Sequence, residues 1–165
     1  MKNAISFLSI SVVFLIGISN QLYSQNTDIW SGNYILKSMD LTPIDTIKIV
    51  KIQDVNKDDV ASRYESDLNR WAILSKADNY EDKIKARRFL YDLSEDENEY
   101  EQFGWTQMYL KGEIKCLDAG HLFICQTQPN TTVKFSKDES FFTKTGIFGV
   151  RLHYGLFIME KYSNP

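Results

Sequence analysis

From Phe103 to Tyr162 the chain reads as short strand-like segments with a turn between each and the next. The segments are WTQMYL, EIKCL, HLFICQT, TTVKF, SFFTKT and GVRLHYGLFIMEKY. Lys111-Gly112, Asp118-Ala119-Gly120, Pro129-Asn130, Lys137-Asp138 and Gly146 separate them and supply turn chemistry. Spacers this short join antiparallel neighbours, because a parallel return needs a crossover of about a dozen residues. Two more strands come earlier. In IWSGNYILKS, Trp30, Gly32, Tyr34 and Leu36 share one parity, and in TIKIVKI, Ile47, Ile49 and Lys51 oppose Lys48, Val50 and Ile52. Period two with β-branched residues marks strands. The expected class is therefore mainly β (α+β). About eight strands would form an antiparallel meander curled into a small barrel or strongly curved sheet, because closure removes exposed edges.

One stretch changes period. Val60, Tyr64, Leu68, Trp71 and Leu74 fall at helical spacing, which predicts an amphipathic helix at about 57–74 packed on the barrel. Asn56 is its expected N-cap, with Asp58 and Asp59 in the first turn. RRFLYDL predicts a strand from about Arg87. Ser94 to Glu101 is an acidic run, expected as a solvated loop. Its spacing does not match an EF-hand loop and it lacks a glycine, so no calcium site is expected.

The first 25 residues read as a secretory signal peptide. Lys2 gives a positive start, an apolar run follows from Ala4 to Ile18, and a polar stretch ends at Gln25. Its YSQ ending resembles export signals of Gram-negative bacteria. Residues 26–165 are then one β-rich domain of common size, exported to the periplasm or beyond the cell. No second long apolar stretch follows, so no membrane span is expected in the mature chain. All 22 acidic residues lie after the leader, against 19 Lys and Arg in the whole chain, including Lys2. That balance argues against a nucleic-acid partner, which needs a positive face.

Both cysteines lie in KCLDAGHLFIC, residues 115–125. A turn at Ala119-Gly120 sets Cys116 opposite Phe123 and puts both sulfurs on one face as diagonal neighbours. A three-residue turn sets Cys116 opposite Leu122 and puts the sulfurs on opposite faces. Export favours a Cys116–Cys125 bridge, and two cysteines allow one pairing. Two buried thiols are the alternative. The spacing C-x4-H-x3-C lacks the close pair of common zinc modules, so no metal or other cofactor is expected.

No Gly-x-Ser-x-Gly elbow, phosphate loop, His-Glu-x-x-His or dinucleotide fingerprint occurs. In GVRLHYGLF, alternation along one strand would put Arg151 and His153 on one face and Val150, Leu152 and Tyr154 on the other. A cation beside an imidazole can hold an anionic head group.

WSGNYIL near the mature start and GVRLHYGLFIMEK at the end resemble the first and last strands of lipocalin-like small secreted β-barrel proteins of Gram-negative bacteria. That resemblance implies a ligand cavity at one barrel mouth. It also implies that a basic residue of the last strand, Arg151 or Lys161, covers Trp30. The order here is Trp-x-Gly where the family has Gly-x-Trp.

The expected function is an exported, non-enzymatic binding domain for an apolar or amphiphilic small molecule. Its ligand residues would be Trp30, Tyr34, Trp105, Arg151, His153 and Tyr154. The alternative is a periplasmic protein-interaction module, an inhibitor or immunity-type partner, using Glu95, Glu97 and Glu99 against a basic surface. A hydrolase built on His121 or His153 would need a positioned partner that nothing local supplies.

Overall fold

A computed structural model describes residues 28–60, 67–77, 83–91, 98–135 and 138–163. The leader, Glu95 and Glu97 lie outside these residues. The strands are β1 (Gly32–Lys37), β2 (Pro43–Ile52), β3 (Arg70–Ser75), β4 (Ile84–Arg88), β5 (Ile114–Asp118), β6 (Leu122–Thr127), β7 (Thr131–Lys134), β8 (Ser140–Thr143), β9 (Ile147–Arg151) and β10 (Gly155–Tyr162). Two short helices, α1 (Glu99–Gln102) and α2 (Thr106–Leu110), lie between β4 and β5.

Eight strands close into an antiparallel barrel in the order β1-β10-β9-β6-β5-β4-β3-β2. It is the expected meander, with the β7–β8 hairpin set apart as its own two-stranded sheet. The seam between β1 and β10 pairs Tyr34 with Lys161 and Leu36 with Met159. Across the seam, Lys37 Nζ bonds Glu160 at 2.6 Å. Because β1 pairs on both sides, the barrel has no open edge.

Alternation divides the apolar residues between two cores. Inside the barrel are Tyr34, Ile49, Trp71, Ile124, Phe157 and Met159, among others. An eight-stranded barrel is just wide enough for side chains to fill or for one small ligand. Here side chains fill it. Gly149 and Phe157 face each other across the β9–β10 pair, and a Cβ on Gly149 would overlap the Phe157 ring. The second core lies on the outer face of β5, β6 and β9. Cys116, Cys125 and Phe148 form its base, and Tyr100, Trp105, Val133 and Phe141 cover it. Phe103 stacks on Trp105 at 4.7 Å, and Phe135 stacks on Phe141 at 5.0 Å between ring centroids. Much of the aromatic content thus serves this outer layer.

The cysteines form a disulfide with Cα atoms 4.1 Å apart. Neither turn read from the sequence occurs. Asp118 pairs with Phe123 across a longer turn, and Cys116 stands directly opposite Cys125. The Cys116 N–H donates to Tyr100 Oη at 3.2 Å and its carbonyl accepts from Phe89 N. Its backbone therefore points away from Cys125, the closely spaced arrangement of a non-hydrogen-bonded pair.

Four local expectations are corrected. The helix at 57–74 is not formed: Lys57–Asp59 makes a single 3-10 turn capped by Asn56, and Arg70–Ser75 is strand β3. Residues 61–66 lie outside those described. Trp71 and Leu74 fit helical spacing, but Trp71, Ile73 and Ser75 also fit strand alternation, and pairing with both β2 and β4 decides for the strand. WTQMYL is helix α2 rather than a strand. The strand read from Arg87 runs earlier, from Ile84 to Arg88. GVRLHYGLF is not one strand but a hairpin. It turns at Leu152–Tyr154, where His153 has φ +71° and Gly155 has φ +87°. Gly155 supplies the left-handed backbone, and histidine tolerates it better than most residues.

Candidate functional site

Antiparallel closure gives the barrel two unlike ends. At the end where β1 starts, Asp28 and Tyr34 are satisfied internally, whereas Gln126 Oε1 is buried with no hydrogen-bond partner among the described residues. Asp28 Oδ1 accepts from Trp30 N at 3.1 Å, Ser31 N at 3.2 Å and Trp71 Nε1 at 3.1 Å. Burial pushes the Asp28 carboxyl up, but the hydrogen bonds from Ser31, Trp71 and Trp30 outweigh it and hold the pKa below the usual range. Tyr34 Oη donates to Trp30 O at 2.6 Å. Burial, with the nearby Asp28 charge, raises the Tyr34 phenol to about 12. Lys161 Nζ lies 5.6 Å from the Tyr34 ring centroid, and its stem fills the space beside Gly32. Trp30 and Tyr34 are therefore closed-end core residues.

Trp105 is not in the barrel. It is 1% exposed in the outer core, and its Nε1 donates to Lys134 O at 2.6 Å. The six expected ligand residues thus fall in three places, and only Arg151, His153 and Tyr154 come together, on the β9–β10 tip.

That tip stands over the other mouth, where a recess of about 320 Å³ opens. Its apolar surface is made by Leu36, Ile44, Leu156 and Phe157, with Leu36 and Phe157 buried. Arg151 and Tyr154 line it on one side, Asp45 and Ser75 on another. Asp45 is held in the wall. Its Oδ1 accepts from Thr46 N at 2.6 Å and Ala77 N at 3.1 Å, and its Oδ2 accepts from Ser75 Oγ. The Arg151 guanidinium lies 6.0 Å from the centroid of the Tyr154 ring, which is 83% exposed. A concave apolar surface with a few polar groups, of a few hundred Å³, is what small-molecule sites present.

The chain matches no family model, no curated protein and no solved structure. The site must be judged on its own geometry. A larger groove of about 420 Å³ lies on the outside of the barrel and is lined by Ile52, Val55, Arg70, Lys85 and Arg87, among others. Its arginines are already engaged. Arg87 pairs with both Glu99 and Asp118, and Arg70 donates to the carbonyls of Asp67 and Asn69. Glu99 is accordingly a structural residue: it binds Arg87 and accepts from Leu90 N at 2.6 Å. His121 sits at the β5–β6 tip, where its carbonyl accepts from Leu152 N at 3.0 Å. Among the described residues no three His, Cys, Asp or Glu side chains come together as metal ligands. No helix of the described residues is long and apolar enough to cross a membrane.

Leu36, Asp45, Ser75 and Phe157 were not singled out from the sequence as site residues. They converge only through the seam and the register of β2 on β3. Gly149 against Phe157 carried no signal either, because their pairing appears only once the β9–β10 turn is known.

Proposed function

We propose that this chain is an exported, lipocalin-like, non-enzymatic domain that binds an apolar or amphiphilic small molecule at the open barrel mouth. The observation that carries the reading is the recess itself, with its Leu36–Phe157 floor and Arg151–Tyr154 rim. The ligand sits on top of the packed interior, so Trp30, Tyr34 and Trp105 hold the scaffold without touching it. Phe157 links the two, since one ring closes the core below and floors the recess above. Native mass spectrometry of protein purified without denaturation tests this. The reading expects a bound mass of a few hundred daltons that Ile44→Arg, at an exposed lining residue, removes while the fold is kept. A bare protein that also takes up no added decanol contradicts it.

A further inference from the structure

We propose that the recess selects an anionic amphiphile, with the head group on Arg151 and the chain over Phe157; this rests on the reading of the recess as a ligand site. Arg151 is exposed at the rim, and among the described residues it has no ion-pair partner. The neighbouring cation Lys37 is tied to Glu160 across the seam. The recess acid Asp45 makes no ion pair with Arg151; its oxygens accept instead from Thr46 N, Ala77 N and Ser75 Oγ in the β2–β3 wall. A guanidinium offers a planar fork that matches a carboxylate or phosphate. The Tyr154 ring beside it steadies the cation, which stays exposed to water.

A small anion alone does not account for the rest of the rim. Met39 (46%), Leu41 (59%) and Leu152 (39%) are exposed on the two hairpin tips at this mouth. The tips are neighbours because β1 pairs with β10. Leu41 has φ +69°, a left-handed backbone that costs a leucine about 1–2 kcal/mol. Turns usually place glycine or asparagine there. Strain combined with exposure points to function rather than folding. These side chains stand on the β1–β2 and β9–β10 tips that flank the recess, where a chain longer than the recess can lie on them.

Isothermal titration calorimetry with decanoate, decanol, decylamine and acetate, each below its self-association concentration, tests the assignment. Decanoate is expected to bind about tenfold tighter than decanol, as one charge-assisted contact at an exposed rim implies. Decylamine should bind more weakly than decanol, and acetate not measurably. Arg151→Gln should bring decanoate to the decanol affinity, leave decanol unchanged and keep the melting temperature. If decanoate and decanol bind equally, the anion assignment is wrong and the recess reading stands. If none of the four binds, both fall. If acetate binds as well as decanoate, the site is one for small anions and the amphiphile assignment fails.

Discussion

Replacing Gly149 with alanine sets two effects of opposite sign against each other. Gly149 does not have a left-handed backbone, so alanine is conformationally acceptable there. By restricting the unfolded chain it would stabilise by about 0.4–1 kcal/mol. Against this, the new Cβ would overlap Cζ, Cε1 and Cε2 of Phe157. Phe157 is 6% exposed and packed below by the barrel core, so its ring can retreat only toward the recess. Overpacking of this kind costs about 1–3 kcal/mol, which exceeds the entropic gain. The net expectation is a loss of roughly 1–2 kcal/mol. At about 2.1 cal/mol/K per residue over about 140 residues, each kcal/mol moves the melting temperature by about 3.5 °C. Thermal unfolding followed by circular dichroism should therefore show a drop of about 3–7 °C. Decanoate binding should weaken as well, because the displaced ring occupies the floor. Combining the change with Phe157→Leu should recover part of the loss, with a coupling of about 1 kcal/mol, since touching residues do not add. A raised melting temperature for Gly149→Ala, or strict additivity in the double variant, would refute the packing argument.

Other consequences follow from the same structure. Reducing the Cys116–Cys125 bond, which spans a sequence separation of 9, should cost about 2–3 kcal/mol. That corresponds to about 7–11 °C in thermal unfolding with and without reductant; no change would mean that the bond restrains nothing. In the folded state Tyr34 keeps its proton up to about 12, whereas the unfolded phenol loses it near 10. Its stabilising share is therefore intact below pH 10 and disappears as pH climbs through 12. Unfolding measured at pH 9 and pH 11.5 should show this loss, and Tyr34→Phe should reduce it. Asp28 has the reverse dependence: its lowered pKa gives stability above about pH 4 that is lost as pH falls through the folded value. Asp28→Asn should thus destabilise at pH 7 and match the parent near pH 2. Glu99→Gln leaves Arg87 half-paired in a partly buried site and should cost on the order of 1–2 kcal/mol by denaturant unfolding. An unchanged midpoint would return Glu99 to the pool of surface charges open to a protein partner.

The meander was legible because each strand carries its own alternation and each turn its own residues. Tyr34 and Leu36 on one side of β1, and Ile47 and Ile49 on one side of β2, announced the interior without any partner strand in view. What stayed hidden depends on pairing between distant segments. Trp71 and Leu74 satisfy two periods at once, and only the neighbours β2 and β4 choose between them. The turn in RLHYG carries no strong signal before Gly155, because His153 accepts a left-handed backbone without announcing it. Trp105 looked like pocket lining because WTQMYL reads as a barrel strand, whereas this residue opens helix α2 outside the barrel. The outer core claims that residue, under a hairpin that leaves the barrel and returns. Arg151 and Tyr154 were read as members of a site, but Asp45 and Ser75 across the recess were not, since closure alone brings them to the same mouth.

The central claim is that the barrel interior is full and that binding occurs on top of it. Two-dimensional amide spectra recorded during a decanoate titration test this most directly. The account predicts shifts gathered at Leu36, Ser75 and Arg151 to Phe157, with Ile49, Ile124 and Trp71 unmoved. Large shifts spread through those interior residues, or a footprint centred on the Arg70–Arg87 groove, would contradict it.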